Sequence, residues 1–230
     1  MLEIGDIHKA VQRRAIDTLA TIAQSGDARV VAMLRDRLTS DDRRLRWSAA
    51  YALAQIGASA FAMDIGDALC EALSDDDGDI RWAATDLIVR LGRENPAEIR
   101  ERLLALAAHD NRNARKMALY CIRDLAIDDP QLLTVVERSA RDSDVHVRLA
   151  ALNVLARLSN SSDTAARIIL DRLETDSDPG VRRAAAAALG NVQIATPRVV
   201  AALKNAAADS ADQSLARAAQ SALDRLEKIQ

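Results

Sequence analysis

The stretch Asp42-Arg43-Arg44-Leu45-Arg46-Trp47-Ser48-Ala49-Ala50-Tyr51-Ala52-Leu53-Ala54-Gln55-Ile56-Gly57 decides the fold, because variants of it return about every 34 residues along the chain. It predicts an amphipathic helix with a start signal and a stop signal. Asp42 can accept hydrogen bonds from the free N–H groups of the first turn, and Gly57 suits the left-handed position after a helix. The apolar residues share one helical face: Leu45, Ala49, Leu53 and Ile56.

Seven copies of this helix, which we call B helices, align on a small residue at their centre. The central residues are spaced by 34, 35, 34, 33, 34 and 34 positions: Ala15, Ala49, Ala84, Ala118, Ala151, Ala185 and Ala219. Apolar residues recur four positions before, four after and seven after each central residue, so each copy is expected to bury one seam. A fixed period of this size indicates a solenoid of repeats that contact their nearest neighbours.

A shorter amphipathic segment, which we call an A helix, lies between successive B helices. The first copy, from about Asp6 to Gln24, has no room for an A helix before it. The pattern therefore predicts an all-α chain of about 13 helices, with one leading helix and six A–B pairs in a single solenoid over residues 1–230. Glycine and proline predict helix breaks at Gly57, from Gly92 to Pro96, and from Gly190 to Pro197.

The composition limits the class of protein. Hydrophobic residues make up 49% of the chain and aromatic residues only 2%, so the core must be built from Ala, Leu, Ile and Val between closely packed helices. A net charge of −3 argues against a nucleic-acid binder that depends on a strong basic field. Cys70 and Cys121 lack the spacing of a zinc site or a disulfide framework. With no leader and no apolar run of membrane length, we expect a cytoplasmic protein.

One copy carries a family resemblance. The stretch from Asp176 to Gly190 has the pattern D-x-D-P-x-V-R-x-x-A-x-x-A-L-G, which resembles the HEAT-like repeat of the phycobilisome-lyase type. The resemblance implies stacked antiparallel helix pairs in a curved right-handed α-α superhelix, with the B helices on its concave face. It implies little about activity, because this family serves mostly as a binding scaffold and only occasionally as an enzyme.

Charged residues recur with the repeat. An arginine stands three positions before the central residue in five consecutive copies: Arg46, Arg81, Arg115, Arg148 and Arg182. The terminal copies lack it, which favours a structural Arg–Asp ladder between neighbouring repeats over a row of ligand-binding arginines. The residue ahead of each later B helix predicts an N-cap: Asp42, Asp77, Asn111, Asp144, Asp178 and Asp212. The acidic run from Asp75 to Asp79 lacks the ligand spacing of an EF-hand, so we expect no metal there.

Four of the five aromatic residues fall on positions that the seam leaves exposed. These positions lie two before, two after, and five or six after the central residue of a B helix, and we call them the exposed line. Core packing would have placed aromatic rings on the seam instead, so we predict an aromatic patch with a charged rim. Its residues are Trp47, Tyr51, Trp82, Asp86, Arg90, Lys116, Tyr120, Asp124 and Arg157. The alternative is that large side chains fill the wedge between successive B helices.

The residue pattern favours a non-catalytic scaffold or adaptor that holds a protein or peptide on the concave face. We expect a monomer without a cofactor. His8, His109 and His146 lie in different repeats, and no catalytic triad follows from spacing. Two enzyme alternatives stay open through the resemblance: a bilin lyase, and a HEAT-like alkylpurine DNA glycosylase for which Trp82 and Asp86 would be the nearest equivalent pair.

Overall fold

The computed structural model describes most of the chain, and every regular element in the described ranges is helical. The described residues are 14–15, 17–19, 21–22, 28–56, 62–94, 96–126, 130–158, 163–192 and 194–228. The described residues of the predicted leading helix are helical, and the rest of that prediction, from about Asp6 to Gln24, lies outside the described residues.

Twelve helices have defined bounds in the described ranges, and they alternate as six A–B pairs. The A helices are α1 (Ala28–Arg37), α3 (Ala62–Ala72), α5 (Pro96–Leu106), α7 (Pro130–Ser139), α9 (Asp163–Thr175) and α11 (Pro197–Ala207). The B helices are α2 (Arg43–Ile56), α4 (Gly78–Glu94), α6 (Arg112–Leu125), α8 (Val145–Leu158), α10 (Pro179–Val192) and α12 (Gln213–Glu227). The prediction of an all-α repeat solenoid with six pairs is confirmed.

The helices group into two compact units, Met1–Cys121 and Ile122–Gln230. The single solenoid over residues 1–230 stays a prediction.

Side-chain capping sets where the B helices begin. Asp42, Asp77, Asn111, Asp144 and Asp212 each accept a hydrogen bond from the N–H group two residues later. The sixth residue, Asp178, accepts one from the N–H group of Val181 at 3.0 Å. Each contact satisfies a donor that the first helical turn leaves free. All six predicted N-caps are confirmed.

The seam of the B helices is closely packed around small residues. The six central residues of α2, α4, α6, α8, α10 and α12 have no exposed surface: Ala49, Ala84, Ala118, Ala151, Ala185 and Ala219. Leucine, isoleucine or valine four positions after each of them is buried as well. This pattern confirms the predicted buried face.

The breaks predicted from Gly92 to Pro96 and from Gly190 to Pro197 are confirmed, because α4 ends at Glu94 and α10 ends at Val192. The glycines themselves do not end the helices, since Gly92 and Gly190 lie inside α4 and α10. At Gly190 the reason is close packing. A Cβ atom there would lie 2.8 Å from the Cα and 3.0 Å from the Cβ of Ala222 on α12, so the missing side chain lets the two B helices approach. The predicted stop at Gly57 lies outside the described residues.

The repeated arginines bind backbone carbonyl groups within their own repeat. The Nη1 atom of Arg148 donates to the carbonyls of Asp142 and Ser143, at 2.9 and 3.2 Å. The other four arginines donate to the same positions, five or six residues earlier: Arg46, Arg81, Arg115 and Arg182. Each contact fixes the A–B loop against the following helix.

Two of these arginines also reach a carboxylate of the next repeat. In the first unit, Nε of Arg46 donates to Oε2 of Glu71 at 3.0 Å, and its Nη2 binds the other oxygen. In the second unit, Nε and Nη2 of Arg148 donate to the two oxygens of Asp176, at 2.9 and 3.0 Å. The second contact is an Arg–Asp bridge of the kind that the ladder prediction describes.

Asp176 is the centre of a buried charge network. Its side chain is only 1% exposed and lies near two arginines, Arg148 at 2.9 Å and Arg172 at 3.5 Å. It also accepts a hydrogen bond from the N–H group of Asp178 at 3.0 Å. Burial by itself would raise the pKa of this carboxyl, but the hydrogen bonds from Arg148 and the Asp178 amide outweigh it and hold the pKa below its ordinary value.

The close approach at Gly190 predicts that Gly190→Ala destabilises the protein by about 1–2 kcal/mol, because the new Cβ meets backbone atoms and the helices must shift. Gly78→Ala is the matched control, since its Cβ would meet only the flexible end of Arg81 at 3.5 Å. Urea unfolding followed by far-UV circular dichroism measures both changes. Equal stability of the two variants would show that the packing at Gly190 is not tight.

The network around Asp176 predicts that Asp176→Asn lowers the free energy of unfolding by about 3 kcal/mol at neutral pH, because two arginines lose a buried carboxylate. The folded pKa lies below the unfolded value of about 3.9. The stabilisation is therefore complete well above that value and is lost as the pH falls through the lowered folded pKa. Urea unfolding of wild type and variant should give curves that converge on acidification.

The control for this prediction is Glu174→Gln, which removes an exposed carboxylate that pairs with Arg198 at 3.0 Å. We expect it to cost less than about 1 kcal/mol at any pH, because exposed pairs contribute little. A cost for Asp176→Asn that is equally small, or one that does not change with pH, would contradict the network's role.

Candidate protein-interaction surface

The four predicted aromatic residues form two ring pairs in the first unit. Trp47 and Tyr51 lie one turn apart on α2, with ring centroids 5.2 Å apart and planes tilted by 31°. Trp82 on α4 stacks on Tyr120 on α6, with centroids 5.2 Å apart and planes at 21°. The second pair joins neighbouring repeats. The position two before the centre of one B helix therefore lies beside the position two after the centre of the next.

Exposure separates the two pairs. Trp82 is 51% exposed, whereas Trp47, Tyr51 and Tyr120 are half-buried. If large side chains fill the wedge between successive B helices, aromatic rings of neighbouring repeats should stack on each other, and Trp82 and Tyr120 do so. Half of the Trp82 surface nevertheless faces solvent, although indole is among the largest apolar groups that a chain can bury. This exposed area is free to contact a partner.

Trp47 has a different environment from Trp82, although both stand at the same repeat position. Its indole Nε1 is buried and has no hydrogen-bond acceptor in the part of the chain that the structure describes. A buried donor without an acceptor costs about 1–3 kcal/mol. The ring is therefore held there by packing, so Trp47 contributes less accessible surface than Trp82.

The predicted charged residues divide between the two units. Asp86 and Arg90 are exposed on α4 and Lys116 is half-buried on α6, so these three share the first unit with both ring pairs. In the second unit, Nη1 of Arg157 lies 4.0 Å from an oxygen of Asp124, and Asp124 also pairs with Arg123 at 2.7 Å. The last position of the exposed line in one repeat therefore lies beside the last position in the next repeat.

The exposed line also carries arginines that the predicted partner-binding set does not contain. Arg183 on α10, and Arg217 and Arg225 on α12, are exposed. All three stand at positions two before or six after the central residue in the last two copies of the repeat, so the sequence alone is enough to find them. The prediction follows the aromatic residues of the first unit, so it includes Arg157 of the second unit but not these three arginines.

The nucleophile and acid–base candidates have structural surroundings. Burial raises the pKa of the Cys70 thiol to about 12 against a smaller opposing effect of Arg102, so the thiol is protonated at neutral pH and a poor nucleophile. The Nδ1 atom of His109 accepts a hydrogen bond from the N–H group of Asn111 at 2.9 Å. His146 is exposed in the first turn of α8, and His8 lies outside the described residues.

The described residues contain no group of three or more His, Cys, Asp or Glu side chains placed to hold a metal ion. None of their helices is long and apolar enough to cross a membrane.

Comparison with known proteins identifies relatives of the repeat. A sequence profile of the family described as HEAT repeats matches residues 2–65, 66–156 and 134–224. A comparison with curated proteins gave no match.

Solved structures share the architecture at low sequence identity. The archaeal HEAT-like repeats protein from Thermococcus onnurineus NA1 is 16% identical, with a TM-score of 0.54 and 93% of each chain covered. A designed armadillo repeat protein in complex with the peptide (KR)4 is 17% identical, with a TM-score of 0.54 over 84% of this chain and 98% of that one. Yeast importin-beta is 16% identical, with a TM-score of 0.65 over 99% of this chain and 35% of its own. These likenesses show the fold alone.

Proposed function

This chain belongs to the HEAT repeat family, and from that premise we propose that it is a non-catalytic scaffold or adaptor that binds a protein or peptide on the exposed line of its B helices. We expect this face to be concave. Structures of the same architecture support the proposal by analogy. A designed armadillo repeat protein is seen in complex with a peptide, and Kap95p, the yeast importin-beta, binds RanGDP.

The observation that carries the proposal is Trp82. Its side chain is 51% exposed in a chain whose core is built from small aliphatic residues. It is held by stacking on Tyr120 at 5.2 Å, so its orientation is fixed before a partner arrives. Binding hot spots are enriched in tryptophan, and a tryptophan that is already ordered loses little side-chain entropy on association.

The remaining predicted residues have supporting roles in this proposal. Tyr120, Trp47 and Tyr51 extend the aromatic area beside Trp82. Asp86, Arg90 and Lys116 form a charged rim in the same unit, where they would select the partner more than they would tighten binding. Asp124 and Arg157 are proposed as contacts of the second unit.

The finer features of the prediction belong to the proposal as well. We propose that the repeats are of the phycobilisome-lyase type, because the segment from Asp176 to Gly190 carries the full pattern of that repeat. We also propose a monomeric, cytoplasmic protein.

An enzyme alternative rests on Trp82 and Asp86, which lie one turn apart and are both exposed on α4. A HEAT-like DNA glycosylase would use such a pair against duplex DNA. The net charge of −3 disfavours this substrate, and the stack with Tyr120 already covers part of the indole. Affinity for duplex DNA that falls steeply with salt would support the alternative. For a bilin lyase, we find only the shared fold.

The proposal predicts that Trp82→Ala weakens partner binding by about 2 kcal/mol, close to thirtyfold in Kd. Helicity should be preserved, because an exposed stack contributes only about 0.5–1.5 kcal/mol to stability. The immobilised wild-type chain and variant would be exposed to the same cell extract. Candidate partners whose capture depends on Trp82 would then be purified and titrated.

Two controls make this experiment specific. Trp82→Phe keeps an aromatic ring on Tyr120 and should retain most of the binding. Glu101→Ala, on the exposed side of α5, should retain all of it. If every captured protein binds wild type and Trp82→Ala equally, or if Trp82→Ala loses its helical signal, the aromatic patch is not the binding surface.

A further inference from the structure

The exposed line is basic on α8, α10 and α12. Of the nine positions two before, two after and six after the central residues of these helices, four are arginines and none is acidic. The nine residues are Leu149, Asn153, Arg157, Arg183, Ala187, Asn191, Arg217, Ser221 and Arg225. The chain as a whole contains 34 acidic and 31 basic residues, so its average composition does not explain the bias. Two acidic residues flank these positions: Asp224 precedes Arg225 on α12, and Asp124 on α6 lies 4.0 Å from Arg157.

Three of these arginines are without carboxylate partners, unlike Arg46 and Arg148 of the repeat ladder. No carboxylate of the described residues lies within ion-pair distance of Arg183, Arg217 or Arg225. The Nε atom of Arg217 donates to the carbonyl of Gln213 at 3.2 Å, and Nη1 of Arg225 donates to the side-chain oxygen of Asn191 at 2.7 Å. These neutral contacts orient the guanidinium groups of Arg217 and Arg225 without forming an ion pair.

The fourth arginine has a weak partner. Arg157 is 60% exposed and lies 4.0 Å from Asp124, whose carboxylate is already bound by Arg123 at 2.7 Å. A pair this long between exposed groups contributes little. A carboxylate from another molecule could therefore compete for Arg157.

A contact between helices shows that the lines of successive B helices lie side by side, because the Arg225–Asn191 bond joins the last line positions of α12 and α10. Arg183 and Arg217 stand at the first line position of these two neighbouring helices. Arg157 and Arg225 stand at the last line position, eight residues or about 12 Å farther along a helix. Because neighbouring packed helices are about 8–10 Å apart, a ligand that crosses α10 and α12 at the first line position would meet Arg183 and then Arg217.

We propose that these four arginines, which we call the arginine row (Arg157, Arg183, Arg217 and Arg225), bind an extended acidic peptide segment of the partner. The proposal rests on the scaffold function above and names the chemistry of its ligand. Arginine pairs with carboxylates through parallel hydrogen bonds. A polyproline II segment repeats every three residues and rises about 3.1 Å per residue, so acidic residues three positions apart are about 9 Å apart. This distance matches the spacing of neighbouring helices, and so of Arg183 and Arg217.

A peptide fits this surface better than a nucleic acid. Leu149 and Ala187 supply apolar area between the arginines, which suits the intervening side chains of a peptide. Single-stranded nucleic acids bind aromatic platforms on which their bases stack. The nine line positions of the second unit include no aromatic residue, and the net charge of −3 disfavours a polyanionic phosphate backbone.

The test uses the full chain and a fluorescein-labelled peptide of four Glu-Ala-Pro units, with anisotropy as the readout. Wild type should bind this peptide in low salt and bind it more weakly as the salt concentration increases. It should not bind the corresponding Gln-Ala-Pro and Lys-Ala-Pro peptides. Arg183→Gln combined with Arg217→Gln should weaken binding about tenfold, because two exposed charge pairs are lost.

A matched double variant controls for net charge. Arg167→Gln with Arg198→Gln removes the same charge from exposed side chains of the A helices α9 and α11, at 56% and 69% exposure. It should change the affinity less than about twofold, since exposed charges away from the ligand are screened. Equal losses in the two double variants would mean non-specific attraction and would overturn the proposal.

Two further outcomes would also overturn it. One is that wild type does not bind the Glu-Ala-Pro peptide. The other is that an oligo-dT strand binds through Arg183 and Arg217 more tightly than the peptide does, which would make the row a nucleic-acid surface. Trp82→Ala should bind the peptide normally. If the Glu-Ala-Pro peptide does not bind while partner capture still depends on Trp82, only the proposal for the arginine row is wrong. If the peptide binds but no partner depends on Trp82, the aromatic scaffold proposal fails instead.

Discussion

The close approach of neighbouring B helices is the constraint on which the rest of the structure depends. The central alanines have no exposed surface, and at Gly190 even a methyl group would meet the backbone of α12 at 2.8 Å. Large side chains therefore have no place at the central position itself. Elsewhere on the B helices they stand at the outer positions of the seam, at the ladder arginines and on the exposed line. The line is the part of the repeat whose chemistry can vary without disturbing the packing.

The repeated charges serve the same packing. In the segment from Asp176 to Arg182, the first aspartate accepts from Arg148 of the preceding repeat, Asp178 caps α10, and Arg182 donates back to the carbonyl of Asp176. Every charged residue of that part of the motif is therefore used within the fold. Charged residues that hold the fold together can thus be told apart from those that a partner could contact. The ladder arginines are bound to carbonyls or carboxylates. Arg183, the residue after the ladder arginine Arg182, stands on the exposed line without a carboxylate partner among the described residues.

Most of the fold follows from the sequence, because helix periodicity, N-caps and the 34-residue spacing are local signals. The differences in detail have physical reasons. The predicted breaks begin at Gly92 and Gly190 because of the conformational preference of glycine, but both residues lie inside helices, and at Gly190 the contact with another helix decides. The carbonyl contacts of the ladder arginines could not be predicted, since backbone acceptors are the same at every residue. Trp47 and Trp82 share one repeat position, yet only the structure shows that Trp47 is more buried than Trp82.

The positions of the perturbed groups favour binding over catalysis. Catalytic sites concentrate shifted pKa values where a substrate can reach them. Here the shifted carboxyl of Asp176 lies in a buried bridge between repeats, and the shifted thiol of Cys70 is explained first by burial beside Arg102. Both shifts arise from holding helices together. The exposed line instead carries an indole that is held by stacking in one unit and exposed guanidinium groups in the other. Under the proposed function, these groups bind a partner through contact area and fixed charge, and they do not have to move a proton.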